Sequence, residues 1–153
     1  VIYDGRVIGK DIDFIDNAGV VIEQPEFINE LSGMKNLKIL AEIKNVIHDD
    51  DINDILKKFG LYEECDKKVG KYSVGMKQKL RLVQAFMEKP KIMILDEPMN
   101  GLDKKSVHAV EELLKQFVRD GGTLLMTSHI EQQLNSCCDI MYEMEDAGFT
   151  RIV

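Results

Sequence analysis

The sequence predicts an α/β fold in which helices cover a parallel sheet and a mainly helical segment separates the first two strands of that sheet. Three short apolar runs carry this prediction: GVVI at residues 19–22, IMIL at 92–95 and TLLM at 123–126. Each has the length of a buried strand, and apolar residues at helical spacing lie between them. The unbroken run at 92–95 is typical of a parallel strand that is covered on both faces, and the run at 123–126 predicts another buried strand.

Composition agrees with one soluble domain. The chain has 153 residues, of which 44% are hydrophobic and 31% charged, enough to bury a core. It has no long apolar span, and charges throughout the first residues argue against a signal peptide, so a cytosolic location is expected. The net charge of -7 argues against nucleic acid as the main partner. Three cysteines without metal-ligand spacing are expected to be reduced and mostly buried.

The first residues predict a β-hairpin, because Asp4 and Gly5 lie between two short alternating runs. The stretch from Gly5 to Asp11 superficially resembles a phosphate-binding loop. It has three rather than four residues between its glycines, and Asp11 stands where Ser or Thr should bind magnesium. No helical pattern follows, so we reject this interpretation. No GxxxxGK[ST] motif occurs elsewhere in the sequence.

The middle of the chain predicts three helices. The first carries Met34, Leu37 and Leu40 at helical spacing, and the second begins at the acidic run 49–51 and ends at Gly60. The third begins after Ser73, a predicted N-cap, and its apolar face comprises Met76, Leu80, Val83 and Met87. A serine hydroxyl and a nearby glycine, Gly75, at the amino end of a helix can bind phosphate.

The second strand ends in two carboxylates, Asp96 and Glu97. At the carboxyl edge of a parallel sheet they are well placed to hold a cation or a water molecule, although they could simply solvate the end of the strand. Asp103 precedes a further helix and could be only its N-cap. His129 follows the third strand, where a lone histidine is more often a surface residue. The last residues predict antiparallel strands around 146–148.

Taken together, these motifs resemble those of ATP-binding cassette (ABC) ATPases from about Gly19 to His129. LDEP and NGLD resemble the Walker B strand, catalytic glutamate and D-loop, and YSVGMKQKL resembles the LSGGQ signature, with Val74 and Met76 as departures. His129 stands at the position of the H-loop histidine. Glu23 aligns with the Q-loop glutamine, with Gln24 one position later. The EQP-x-F pattern is similar to that of bacitracin and lantibiotic export or immunity transporters.

The resemblance implies a role for each of these residues, with ATP and Mg²⁺ as cofactors. Asp96 would bind the magnesium ion, Glu97 would orient and polarise the attacking water, and His129 would contact the γ-phosphate. Ser73 and Gly75 would face phosphate, and Asp103 would reach across a dimer interface. Either Glu23 or Gln24 would sense magnesium and the γ-phosphate.

The resemblance also implies a P-loop NTPase-like fold (the ABC ATPase type) with an inserted α-helical subdomain at about 26–88, which contains the signature. Residues 1–25 and 89–153 would form the remaining core sheet. The amino-terminal part with the Walker A loop is expected to be missing, so the isolated chain is predicted to be inactive and prone to self-association. We take it as a partial ABC ATPase domain.

The implied partners are a transmembrane permease subunit and a second ATP-binding subunit in a head-to-tail dimer, on the inner face of the cell membrane. The alternative is a non-catalytic interaction module derived from an ABC domain. DNA-repair and ribosome-associated ABC ATPases would require long heptad arms or a basic linker, and neither is visible.

Overall fold

A computed structural model describes residues 1–22, 27–145 and 148–152 of the chain. Its elements follow in the order β1 (Ile2–Tyr3), β2 (Arg6–Val7), β3 (Ala18–Val21), α1 (Gly33–Lys44), α2 (Asp49–Lys58), α3 (Val74–Met87), β4 (Ile92–Asp96), α4 (Lys104–Arg119), β5 (Thr123–Thr127), α5 (Glu131–Cys137), β6 (Tyr142–Glu145) and β7 (Gly148–Arg151). Short 3-10 turns at Tyr62–Glu64 and Val69–Lys71 connect α2 to α3.

The centre of the fold is a parallel three-stranded sheet in the order β3-β4-β5. The strands are in register, so that Val20 lies beside Ile94 and Ile94 beside Leu125. All three apolar runs of the sequence therefore form strands, and their carboxyl ends meet at one edge of the sheet. The predicted α/β architecture, with a helical segment between the first two of these strands, is confirmed.

The two faces of this sheet differ in burial. Met93 and Leu95 of β4 are buried in the core. Helix α3 packs against β3, and helix α4 packs against β5. On the opposite face Ile94 is half-buried, while Val20 and Leu125 are 42% and 61% exposed. The expectation that the strand at 92–95 is covered on both faces is therefore wrong within the described residues, because these residues cover only one face. We call the other one, defined by Val20, Ile94 and Leu125, the open face.

Helices α1, α2 and α3 share one continuous core with the covered face of the sheet. Helix α2 begins at Asp49 as predicted, and the Asp51 carboxylate in its first turn accepts a hydrogen bond from the His48 amide at 3.1 Å. Phe59, just after α2, packs edge-on against Phe86 of α3, with ring centroids 5.4 Å apart. The fully buried side chains of the three helices are Leu37, Ile52, Leu56, Leu80, Leu82 and Val83.

Two antiparallel hairpins lie at the ends of the chain. Strands β1 and β2 pair around Asp4 and Gly5, whose φ angles are 50° and 73°, as a two-residue hairpin turn requires. Strands β6 and β7 pair as predicted, although residues 146 and 147 of the turn lie outside the described residues. The sequence pattern gave no indication of α5, which has only seven residues.

The three cysteines are free thiols, and Cys65 and Cys137 are buried. Burial raises the pKa of the Cys137 thiol to about 11, which keeps it protonated at neutral pH. The expectation of mostly buried thiols is confirmed, and their reduced state stays a prediction. Within the ranges that the structure describes, no helix is both long enough and apolar enough to cross a lipid bilayer.

Candidate functional site

The carboxyl edge of the parallel sheet brings together three of the residues singled out by sequence. Asp96 is the last residue of β4, Glu97 follows it, and His129 lies two residues after the end of β5. The Asp96 side chain is exposed, and that of Glu97 is 31% exposed. In open α/β sheets this edge is where ligands bind.

Glu97 and His129 are in direct contact. The Oε1 atom of Glu97 accepts a hydrogen bond from the His129 backbone amide at 2.8 Å and lies 2.9 Å from His129 Nδ1. An ionised carboxylate can only accept hydrogen bonds, so Nδ1 carries the proton of this contact. The contact fixes one oxygen of the carboxylate and leaves the other, Oε2, for a further donor.

The loop that carries His129 is itself supported by side chains. The Ser128 hydroxyl donates to Gln133 Oε1 at 2.9 Å and accepts from the Ile130 amide at 3.1 Å. Gln133 belongs to α5 and is 8% exposed. The short helix that the sequence analysis missed therefore anchors the histidine loop.

The backbone of Glu97 is strained. Its φ angle is 47°, a left-handed conformation that costs a non-glycine residue roughly 1–2 kcal/mol. Side chains hold the backbone on both sides: the Thr127 hydroxyl accepts from the Glu97 amide at 3.2 Å, and Gln78 Nε2 donates to the Pro98 carbonyl at 2.8 Å. Strained residues persist only where the surrounding structure over-determines them, and they cluster at functional sites.

Sequence reasoning missed both Gln78 and Thr127. Gln78 belongs to α3, is 5% exposed and also accepts a 2.9 Å hydrogen bond from Arg81. Its bond to Pro98 joins residues 20 positions apart, so no local pattern could reveal it. The only available signal was a glutamine close to the apolar face of a helix, which is not specific.

The amino end of α3 contacts the loop that follows β4. Ser73 is the N-cap, and its hydroxyl accepts from the Met76 amide at 3.2 Å, as predicted. A Cβ atom at Gly75 would lie 3.1 Å from the Gly101 carbonyl oxygen. Gly75 thus allows the helix to pack closely against the 98–103 loop. This packing is a structural reason for a glycine at position 75, in addition to the predicted role in phosphate binding. Among the residues that the structure describes, Ser73 makes no hydrogen bond to Asp96 or Glu97.

Asp103 is the N-cap of α4. Its carboxylate accepts hydrogen bonds from the Ser106 amide and the Ser106 hydroxyl, both at 2.9 Å. These two bonds, the amide first, lower the pKa of the Asp103 carboxyl below its ordinary value. The capping role considered from the sequence is therefore confirmed, and the carboxylate remains exposed at the surface.

Glu23 and Gln24, the candidates for the Q-loop position, lie outside the described residues. The loop that follows them is held by Asn36, whose side chain accepts from the Ile28 amide at 2.8 Å and donates to the Ile28 carbonyl at 3.1 Å. Phe27 packs partly against the core, whereas Ile28 is 50% exposed.

Asp96 fits a magnesium ion by its donor chemistry. Mg²⁺ is commonly held by one or two carboxylates together with phosphate oxygens and water. The Oδ1 atom of Asp96 accepts a 2.5 Å bond from the Thr127 hydroxyl, which leaves Oδ2 for a cation. Among the described residues no group of three or more His, Cys, Asp and Glu side chains could hold a metal ion. A site completed by phosphate and water needs fewer protein ligands.

The chain resembles known proteins in family, sequence and structure. Residues 2–100 match the family model described as "ABC transporter". The chain is 41% identical over 140 residues to the ABC transporter ATP-binding protein YybJ of Bacillus subtilis (strain 168), covering 92% of this chain and 64% of that protein.

Two relatives have names that state a transport role. The bacitracin transport ATP-binding protein BcrA of Enterococcus faecalis is 33% identical over 84% of this chain and 42% of its own length. The lantibiotic transport ATP-binding protein SrtF of Streptococcus pyogenes is 32% identical over 92% of this chain and 60% of its own length. The chain thus spans 42–64% of the length of these three relatives.

A solved structure described as an ATP-binding subunit of an ABC transporter has the same fold. It superimposes with a TM-score of 0.77 and 24% sequence identity, over 89% of this chain and 59% of the other. The structural comparison therefore agrees with the α/β fold expected from the sequence motifs.

Proposed function

Because the chain belongs to the ABC transporter family of ATP-binding proteins, we propose that it is part of a subunit that binds and hydrolyses ATP to drive membrane transport. One observation supports hydrolysis above all others. The Glu97 carboxylate is held by both the amide and the ring of His129, next to Asp96, at the ligand-binding edge of the sheet.

The proposed mechanism assigns one task to each of these side chains. Asp96 would hold Mg²⁺, directly or through water, and that ion would neutralise charge on the phosphates of ATP. Glu97, with Oε1 fixed by His129, would accept the hydrogen bond of a water molecule on Oε2 and polarise it for attack. His129 would orient Glu97 and contact the γ-phosphate.

The residues of α3 and the following loop would act on nucleotide held by a second ATP-binding subunit. Ser73 and Gly75 at the amino end of α3 would face its phosphates, because the helix end offers backbone amides and the positive end of the helix dipole. Asp103 is exposed and ionised, which suits a contact across the same head-to-tail interface. Glu23 or Gln24 would complete the site as the Q-loop residue.

The proposed partner is a transmembrane permease subunit at the inner face of the cell membrane, and the cargo an antimicrobial peptide that is exported or removed for immunity. The names of BcrA and SrtF support this cargo class. The proposed docking surface is the segment of Phe27, Ile28 and Leu31 within the helical subdomain at about 26–88. Ile28 supports it, because this apolar side chain is half exposed although Asn36 fixes its backbone.

Cysteine cross-linking tests the docking surface. Asn29 is exposed beside Ile28, so an Asn29→Cys variant of the full-length subunit should form a cross-link to the permease. Asp120, exposed at the end of α4 and next to the amino end of β5, supplies the control variant Asp120→Cys. Capture from position 120 but not from position 29 would reject the assignment. The parent protein with its native cysteines should give no product.

A steady-state ATPase assay tests the function itself. Phosphoryl transfer in P-loop enzymes depends on a backbone cradle and a lysine for the β- and γ-phosphates, and the sequence has no GxxxxGK[ST] motif. We expect Mg²⁺-dependent turnover from the full-length subunit and none from the 153-residue chain alone.

The Glu97→Gln variant of the short chain is the control for that assay. Magnesium-dependent turnover by the short chain that disappears in this variant would reveal a phosphate-binding loop of another kind. A full-length subunit that neither binds nor hydrolyses ATP would instead favour the non-catalytic interaction module.

A further inference from the structure

Thr127 touches both residues of the proposed catalytic pair. It is the last residue of β5 and lies directly beside Asp96 in the parallel register. Its hydroxyl donates to Asp96 Oδ1 at 2.5 Å and accepts from the Glu97 backbone amide at 3.2 Å. A single hydroxyl therefore connects the carboxylate of one residue to the backbone of the next.

The donated bond acts on the metal-binding group. Because the Thr127 hydroxyl donates a hydrogen bond to Oδ1, the Asp96 carboxylate is held in one orientation and its Oδ2 atom faces the surroundings. Both side chains lie on the open face of the sheet, since Leu125 and Thr127 are two residues apart on β5 and Ile94 and Asp96 are two apart on β4. Both side chains also lie at the carboxyl edge of the sheet, where open α/β sheets bind their ligands.

The accepted bond acts on the attacking group. Glu97 adopts a left-handed backbone conformation, and its amide hydrogen bond to Thr127 is one of the contacts that maintain it. Gln78 holds the next carbonyl, of Pro98, from the other side. Loss of the hydroxyl would free the turn that aims the Glu97 side chain.

We propose that Thr127 is a positioning residue that sets the orientation of Asp96 toward Mg²⁺ and of Glu97 toward water. The proposal rests on the function proposed above. It attributes the effect to the hydroxyl and not to the shape of the side chain, because valine has the same branching at Cβ and the same preference for strands. Outer-sphere partners of this kind typically change metal affinity or activity by 10- to 100-fold.

The test compares Thr127→Val and Thr127→Ser in the full-length subunit. We expect the valine variant to lose about tenfold in kcat and to bind Mn²⁺ about tenfold more weakly in the presence of a non-hydrolysable ATP analogue, as measured by electron paramagnetic resonance. The serine variant, which keeps the hydroxyl, should stay close to wild type in both. Tm should be unchanged, because Thr127 is exposed.

Thr123→Val is the matched control. Thr123 is exposed on the same strand and the same face, at the end away from Asp96. This variant should retain wild-type kcat and Mn²⁺ affinity. An unchanged Mn²⁺ affinity in Thr127→Val, or a serine variant as impaired as the valine variant, would overturn the proposal.

The two readouts separate this proposal from the proposed function. A wild-type subunit without turnover would contradict ATP hydrolysis, whereas Mn²⁺ affinity would still report whether Thr127 orients Asp96. The positioning role alone would be refuted if Glu97→Gln loses turnover while Thr127→Val keeps both wild-type turnover and wild-type Mn²⁺ affinity.

Discussion

Replacement of Glu97 by Gln in the full-length subunit is expected to lower ATP turnover by on the order of 10²-fold or more while ATP binding is retained. A glutamine side chain has the same shape and keeps an oxygen that can accept from the His129 amide and ring, the contacts that hold Glu97 at 2.8 and 2.9 Å. It removes the negative charge and the basicity that polarise water. The geometry should therefore survive and the chemistry should not.

Turnover under saturating ATP and Mg²⁺, together with nucleotide binding at equilibrium, measures this effect. Glu63→Gln is the matched control, because Glu63 is exposed in the 3-10 turn Tyr62–Glu64 and the same substitution there should leave turnover unchanged. Near-normal turnover in Glu97→Gln would contradict the catalytic assignment. Loss of ATP binding in that variant would show instead that Glu97 supports the nucleotide site.

Replacement of Gly19 by Ala is expected to destabilise the subunit by about 3 kcal/mol, at the upper end for overpacking a core. A Cβ atom at this position would lie 2.3 Å from the Ala85 carbonyl oxygen and 3.0 Å from Pro90 Cγ. The first of these atoms is backbone within α3, so no side-chain rotation can relieve the clash. Strand β3 and helix α3 would have to separate.

Thermal unfolding of the full-length subunit measures this change, and a loss of this size should lower Tm by roughly 6 to 12 °C. Ile43→Ala is the control, because Ile43 is 76% exposed on α1 and its truncation should change Tm little. If Gly19→Ala unfolds at the wild-type temperature, the close approach of β3 and α3 is not maintained in solution.

The elements that the sequence predicted well are those determined by local patterns. The three apolar runs, the helical spacing of Leu80, Val83 and Met87, and the N-caps Ser73 and Asp103 all depend on residues within a few positions of one another. The hairpin at Asp4 and Gly5 is of the same kind, because its backbone conformation follows from two adjacent residues.

Features that the sequence could not predict depend on packing between distant residues. The burial of a strand such as β5 is decided by what covers it, and the described residues cover one face only. Thr127 contacts residues 30 and 31 positions away, and a threonine at the end of a strand carries no signal of that contact. Helix α5 is too short for its spacing to be distinguished from a loop.

The left-handed backbone at Glu97 also bears on how this position responds to selection. Glycine and asparagine adopt a φ of 47° more readily than glutamate does, so selection for stability alone would favour them at this site. A glutamate at this position reduces stability in exchange for a carboxylate that contacts from β5 and the loop after it hold in place. Under the proposed function, the demands of stability and of activity on Glu97 therefore oppose each other.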